Sequence, residues 1–377
     1  MRAGLDEVRA AVRRLADDIH GRGLEIEQAG QLPPDVVAGL HAAGVFRLWQ
    51  PAELGGYEAE PAAVVEILQT LAEADGSTAW CAATGIAGNV AGAMLPEAAA
   101  RAMFDRPGVL ASGVLMPGGR AVPQPGGGYL VDGRWPFGSG TQHCDWVIGG
   151  ARVEGPEPAM LAVLMPAAAV KFLQTWQVIG LAGTGSVDYE ASGLHVPAEH
   201  CIPLAELRPW PAGAMWRIPL RSLLYPVLAA VPLGIGRRAL AELLAVSERV
   251  RFGSARQLAE QELVQAAVGR AQVLLQSGAS NLTDSLQQLL RTAAAGRMPS
   301  PAERAAARAA AVYATEQAHE AITLCYQTAG TTAMYWQHPL QRAVRDVLAA
   351  SQHFALSAQG LTLSGKVILG LEPDVML

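Results

Sequence analysis

The spacing of apolar residues changes twice along this chain, from a helical period to a strand-like one and back, and that pattern restricts the class of fold before any motif is considered. From residue 5 to about residue 104 apolar side chains recur at helical intervals, with breaks at Pro33-Pro34, Gly55-Gly56 and Gly76-Ser77, which predicts several helices. Ser77 is the expected N-cap of the helix carrying Trp80 and Asn89. From about 109 to 204 the pattern shifts to short β-rich runs separated by Gly and Pro, including Gly126-Gly127-Gly128 and Gly183-Thr184-Gly185. Beyond Pro219 four long segments, 223–251, 257–295, 301–329 and 340–371, return to helical composition. Within 263–275, Val264, Val268, Ala271 and Leu275 form one stripe with Gln and Arg opposite, as bundle helices require. The expectation is an α+β chain with an N-terminal α-helical domain at 1–108, a middle β-barrel-like domain at 109–205 and a C-terminal four-helix bundle at 206–377.

Several function classes fall away on charge and composition. A formal net charge of −6, without a basic stripe, lacks the electrostatic footprint of a nucleic-acid binder. The N-terminal run MRAGLDEVRAAVRRLADDIH places charges at helical spacing, unlike a signal peptide or anchor. The most apolar stretch, 218–235, is interrupted by Arg221, Pro226 and Pro232, so no membrane span is expected and the chain reads as soluble and cytoplasmic. Cys81, Cys144, Cys201 and Cys325 lie far apart with no CxxC pair and no HExxH, which argues against structural zinc and a disulfide framework. His143 and Cys144, read as adjacent strand residues, would point to opposite faces and could not act together as base and nucleophile. The Gly183-Thr184-Gly185 turn lacks the GxGxxG spacing and the following βαβ unit of a dinucleotide fingerprint.

The segment most suited to hold a ligand is residues 133–146, GRWPFGSGTQHCDW. Tyr129-Leu130-Val131 before it and Trp146-Val147-Ile148 after it read as strands, so the Gly138-Ser139-Gly140 turn between them can offer backbone N–H groups and a hydroxyl beside stackable aromatics. An ordinary hairpin with a Trp-Pro edge is the competing description.

Taken in order, several segments resemble the acyl-CoA dehydrogenase superfamily over nearly the whole chain, and most closely its flavin-dependent hydroxylase branch, which includes the oxygenase component of p-hydroxyphenylacetate hydroxylase. They are LAEADGSTAW at 71–80, GRWPFGSGTQHCDW, WQVIGLAGTGS at 176–186, ERVRFG at 248–253, HPLQRAVRDVLAASQHFALS at 338–357 and GKVILGLEP at 365–373. The resemblance implies an acyl-CoA dehydrogenase-like fold. It implies that Phe137 lies against an isoalloxazine, that Gly138 and Ser139 meet its N5 and O4 edge, and that Arg249 and Phe252 reach the phosphate-bearing tail of a flavin held mainly by a neighbouring subunit. Without the resemblance Arg249 would read as a solvated helix charge.

Dehydrogenases of the superfamily need a carboxylate base. In one arrangement it stands nine residues after the Arg of the RD motif, here Phe354; in the other it precedes an AAGPLG-like segment, here Leu224 of LLYPVLAAVPLG. Both positions are apolar. In their place Gln352-His353 resembles the hydroxylase branch, and His353 is the leading catalytic candidate with Ser139, although a helix histidine bonded within the bundle has the same local signature. The implied substrate pocket lies between Trp80 and Asn89 on one side and Leu224 and Tyr225 on the other, with Phe354 as a further wall and His143 beside the flavin turn.

The implied reaction uses reduced flavin from a separate reductase and O2, through a flavin C4a-hydroperoxide, to oxygenate an aromatic or polycyclic small molecule. Thr331 following Gly330 crowds the place where FAD-binding relatives carry a Gly-Gly pair, which favours FMN, with FAD possible. A site shared across subunits implies a homotetramer. The alternatives are an acyl-CoA dehydrogenase with a displaced base and a flavin-less binding protein on the same fold.

Overall fold

The computed structural model describes residues 2–372 apart from 107, 156–158, 206 and 251–254. Its N-terminal part is helical: α1 (Arg2–Ile19), α2 (Gly23–Ala29), α3 (Pro34–Ala42), α4 (Pro61–Ala74), α5 (Gly76–Asn89), α6 (Ala91–Met94) and α7 (Glu97–Phe104). The strands follow: β1 (Ala111–Pro123), β2 (Tyr129–Trp135), β3 (Trp146–Val153), β4 (Met160–Pro166), β5 (Lys171–Leu173), β6 (Asp188–Val196) and β7 (Cys201–Pro203). Six helices complete the chain: α8 (Leu220–Leu228), α9 (Ala230–Ser247), α10 (Glu262–Ala294), α11 (Pro301–Ala329), α12 (Pro339–Ser351) and α13 (Gln359–Ile368).

The strands form one seven-stranded mixed sheet in the order β5-β6-β2-β1-β3-β4-β7. β1 and β3 run parallel, and the other neighbours are antiparallel. β5 and β7 are its edges, so among the described residues the sheet is open and not a closed barrel. The N-terminal and C-terminal helices share one hydrophobic core, in which Leu68 and Leu71 of α4 lie with Leu233 and Leu243 of α9 and Leu282 and Leu286 of α10. The α4–α9 crossing is close: a Cβ on Gly234 would stand 2.5 Å from both the Ala72 Cβ and the Gln69 carbonyl oxygen.

Three local expectations need correction. Asp75, not Ser77, caps α5, its carboxylate accepting from the Thr78 N–H at 2.7 Å and the Thr78 hydroxyl at 2.8 Å. The described part of segment 223–251 holds two helices, α8 and α9, which part at Ala229 between Pro226 and Pro232, where two N–H donors are missing. Segment 340–371 is also two helices, and His353 and Phe354 sit in the turn between α12 and α13. His353 is therefore not a helix residue.

Candidate active site

The turn at 137–140 is built from unusual backbone. Phe137 adopts φ 65°, a left-handed conformation rare for a bulky side chain, and Gly140 adopts φ 67°. The turn is held by Gly138 N–H donating to the Val187 carbonyl at 3.0 Å, Gly140 N–H to Thr184 at 3.1 Å and the Thr141 hydroxyl to Gly138 at 2.7 Å. Gly138 has no room for a side chain, since a Cβ would meet Thr141 Oγ1 at 2.7 Å and the Tyr189 ring at 2.9 Å. The result is a Phe137 ring 66% exposed, edge-on to Trp176 at 6.3 Å. Burial normally recovers the cost of ordering such a ring, so an aromatic held outward by strained backbone is suited to cover a flat ligand.

Helix α5 packs behind this turn. Trp80, buried at 5% exposure, donates its indole N–H to Ser139 Oγ at 3.2 Å. Thr84, one turn on, reaches the Ser139 carbonyl at 3.4 Å, and the Ser112 hydroxyl donates to the same carbonyl at 3.0 Å. Ser139 Oγ lies 2.7 Å from Ser186 Oγ, which lies 2.7 Å from Thr184 Oγ1.

The loop carrying Thr184 and Ser186 is fixed to α12. Arg345 pairs with Glu27 and donates to the Ile179 carbonyl at 2.7 Å, while Asp346 accepts from the Leu181 N–H at 2.6 Å. A Cβ on Gly180 would stand 2.1 Å from the Arg345 carbonyl oxygen, so only glycine allows this approach. Burial pushes the Asp346 carboxyl up to about 7 and also raises Asp75.

His353 completes the cluster from the C-terminal side. Its ring meets Trp80 edge-on at 5.5 Å and Phe354 at 4.7 Å, and Phe354 in turn meets Tyr225 at 5.2 Å. Burial, helped by the nearby Arg308 cation, lowers the His353 pKa to about 4. The ring is thus neutral at ordinary pH. Its Nδ1 accepts from the Ala355 N–H at 3.1 Å, so in the neutral tautomer the proton sits on Nε2.

Arg308, only 7% exposed, donates to the Phe354 and Ala355 carbonyls and lies 4.6 Å from the Tyr225 ring centroid. Burial raises the Tyr225 pKa, while Arg221 and Arg308 pull it down; arginines are the charged groups felt by both Tyr225 and His353.

The structure joins Ser139, Trp80, His353, Phe354 and Tyr225 in one chain of contacts, with half-buried Leu224 beside Tyr225 on α8. Asn89 is corrected. Its amide is buried and tied to backbone, donating to Phe46 and Val109 and accepting from Ala111, so it braces α5 against β1 and has no N–H left to offer a ligand.

His143 closes a 3-10 turn instead of lying in a strand, and its pKa is lowered by burial and by His41 of α3. Arg249 is exposed just past α9, within electrostatic reach of His338. Gly330 ends α11 at φ 63°, ψ −145°. Among the described residues no hydrogen bond, ion pair or ring contact joins Arg249 or Gly330 to Ser139, and Phe252 lies outside the described residues. Residue-by-residue reading did not single out Ser112, Thr184, Ser186 or Arg308. Thr184 and Ser186 lay within the quoted WQVIGLAGTGS motif, whereas Arg308 is one cation in an alanine-rich helix.

All four thiols are raised by burial, and no group of metal-ligating side chains occurs among the described residues. No described helix is long and apolar enough to cross a membrane. The exposed Phe137 ring, the adjoining hydroxyl and the backbone-locked turn fit a planar ring system with a polar edge.

Family models match at both ends: residues 4–101 match the acyl-CoA dehydrogenase N-terminal domain, and residues 226–358 the C-terminal domain. An indole-3-acetate monooxygenase of Pseudomonas putida is 30% identical, covering 96% of this chain and 94% of that protein. A pigment production hydroxylase of Rhodococcus erythropolis is 29% identical over 98% of both chains. The oxygenase component of an FADH2-dependent resorcinol hydroxylase of a Rhizobium species is 28% identical over 96% of this chain and 94% of that one. Among solved structures, XiaF from a Streptomyces species in complex with FADH2 and glycerol superposes with a TM-score of 0.92 at 25% identity, covering 100% of this chain and 99% of that one.

Proposed function

The chain belongs to the acyl-CoA dehydrogenase family, in its branch of flavin-dependent monooxygenase oxygenase components, and from that premise we propose that Phe137, Gly138, Ser139, Trp80 and His353 surround the reacting edge of a reduced flavin used to oxygenate an aromatic or polycyclic small molecule. A reduced flavin held there would supply the two electrons that activate O2, one oxygen atom going to the substrate and the other leaving as water.

The observation that carries the reading is that Trp80 bonds to Ser139 through its indole N–H and meets His353 through its ring. A hydroxyl from the sheet region and a neutral imidazole from the C-terminal helices are thereby held on one indole. Phe137 covers the ring system, Ser139 meets its polar edge, and His353 holds a proton at Nε2 that it can donate to a developing anion. Tyr225 and Phe354, in contact with each other, and Leu224 beside Tyr225 supply an apolar wall for the substrate side, which suits oxygen transfer over wasteful release of peroxide.

Dehydrogenation is disfavoured because Phe354 and Leu224 stand where a carboxylate base would be and because the charged groups nearby are arginines, which cannot abstract a proton. Separate reduction of the flavin follows from the absence of a nicotinamide fingerprint in the sequence and agrees with the name of the resorcinol hydroxylase component.

Thr331 beside Gly330 supports FMN as the flavin, while FADH2 serves the relative and the neighbouring structure named above. Exposed Leu263 and Val273 on α10, with Ile368 and Leu369 at the end of α13, support a homotetramer in which Arg249 and Phe252 act on a neighbour's flavin. The setting we infer is cytoplasmic.

The test supplies the protein with reductase-generated FMN or FAD, ¹⁸O2 and a panel of aromatic substrates. One ¹⁸O atom in a product supports the proposal. Peroxide as the only oxygen product across the panel would refute it, and bleaching of bound flavin by an acyl-CoA would establish the dehydrogenase reading in its place.

A further inference from the structure

Thr184 and Ser186 reach Ser139 only through their hydroxyls, yet they determine what Ser139 can do. A hydroxyl has one proton to give. Thr184 Oγ1 gives its proton to the Leu181 carbonyl at 2.7 Å, so towards Ser186 Oγ, also at 2.7 Å, it can only accept. Ser186 has then spent its proton on Thr184 and must accept from Ser139 Oγ at 2.7 Å. Trp80 directs its indole N–H, which can only donate, into Ser139 Oγ at 3.2 Å. The protons thus run one way, from Trp80 through Ser139, Ser186 and Thr184 to the Leu181 oxygen. Ser139 arrives at the site with a lone pair free and no proton to offer.

We infer that Thr184 and Ser186 are positioning residues that make Ser139 a hydrogen-bond acceptor towards the ring bound there, so that the site favours reduced flavin, whose N5 carries a proton, over oxidised flavin, whose N5 is a bare acceptor. This rests on the reading that the flavin's N5 edge meets Ser139. To donate to oxidised N5, Ser139, Ser186 and Thr184 must all rotate, and the Thr184 hydroxyl must leave the Leu181 carbonyl. Thr184 and Ser186 are both buried, so reversal costs the 2.7 Å bond to the Leu181 oxygen, which keeps only the longer contacts from the Thr184 N–H at 3.1 Å and the Trp176 indole N–H at 3.4 Å.

The experiment measures dissociation constants of FMN and FAD, oxidised and reduced, under anaerobic conditions. Thr184→Val keeps the side-chain volume but removes the acceptor for the Ser186 proton, which frees the chain to reverse. The ratio of oxidised to reduced dissociation constants should fall about three- to tenfold, the worth of one hydrogen bond. Thr184→Ser loses a methyl but keeps the hydroxyl and should retain the wild-type ratio, and Ser186→Ala should lower it as Thr184→Val does.

Combined with Ser139→Ala, Thr184→Val should change nothing further. An unchanged ratio in both Thr184→Val and Ser186→Ala, with Ser139→Ala still weakening flavin binding, would overturn this proposal alone. Equal effects of Thr184→Val and Thr184→Ser would also overturn it, since packing would then be the cause. If Ser139→Ala alters neither dissociation constant, the flavin does not meet Ser139 and both readings fall.

Discussion

Replacing Asp346 with Asn should change how the stability of this protein depends on pH. Asp346 is buried in α12, accepts from the Leu181 N–H at 2.6 Å and has its carboxyl pushed up from 3.8 to about 7, chiefly by burial, with Asp75 adding to the rise and Arg342 opposing it. Between those two values the folded chain binds more protons at this site than the unfolded chain does. The stabilisation is therefore complete below the unfolded value and is lost as the pH rises through about 7. At about 1.4 kcal/mol per pH unit, the loss between about pH 5 and pH 7 is at most about 3 kcal/mol.

Asn preserves the volume and an oxygen for the Leu181 N–H, but it has no proton to lose. In thermal unfolding followed by intrinsic fluorescence from about pH 5 to pH 8, the wild-type midpoint should drop by roughly 2–4 °C more than that of Asp346→Asn. Parallel pH profiles for the two proteins would refute the assignment of a buried, near-neutral carboxyl to this site.

Three further outcomes follow from the site. Phe137→Gly removes a bulky side chain from φ 65°, so it should leave the thermal midpoint unchanged or raise it by the equivalent of about 1 kcal/mol while weakening flavin binding; a fall in both would show that the strained conformation is not a cost. Arg308→Met leaves the Phe354 and Ala355 carbonyls without their donor and removes a cation that depresses His353. The predicted result is about 1–3 kcal/mol of lost stability together with a rise in the His353 pKa, read from its imidazole proton resonances across a pH titration. Gly180→Ala drives a methyl to 2.1 Å from the Arg345 carbonyl oxygen, so the loop must lift off α12; denaturant titration should show a clear loss, with the Phe137–Ser139 turn becoming accessible to proteases.

Element types were readable because period and composition agreed. Tyr129-Leu130-Val131 and Trp146-Val147-Ile148 are the openings of β2 and β3. Helix ends were harder to read. Asp75 and Ser77 are both good caps, and only the contact with the Thr78 N–H distinguishes them. The turn holding His353 and Phe354 is invisible to periodicity because no Gly or Pro stands between α12 and Ala358 to mark it. Asn89 looked available to a ligand because its three backbone partners come from two segments far from it in sequence. Arg308 gave no signal, because its partners are carbonyls and rings rather than an acid at helical spacing. The hydroxyl relay joins 139 to 184 and 186, a pairing that only tertiary structure supplies.

The core shared by α4 and α9 has a consequence for how the chain is made. Leu68 and Leu71 need Leu233 and Leu243 as neighbours, yet the whole sheet lies between them in sequence. During synthesis the N-terminal helices leave the ribosome with an apolar face that nothing yet covers, and they must wait through seven strands for its partner. Until α9 arrives, that face is the segment most open to chaperones or to misassembly between copies, and truncations ending within the sheet should aggregate instead of accumulating as a folded N-terminal piece. Trp80 from the first part, Ser139 from the second and His353 from the third meet only after that wait, so assembly of the active site reports completion of the chain.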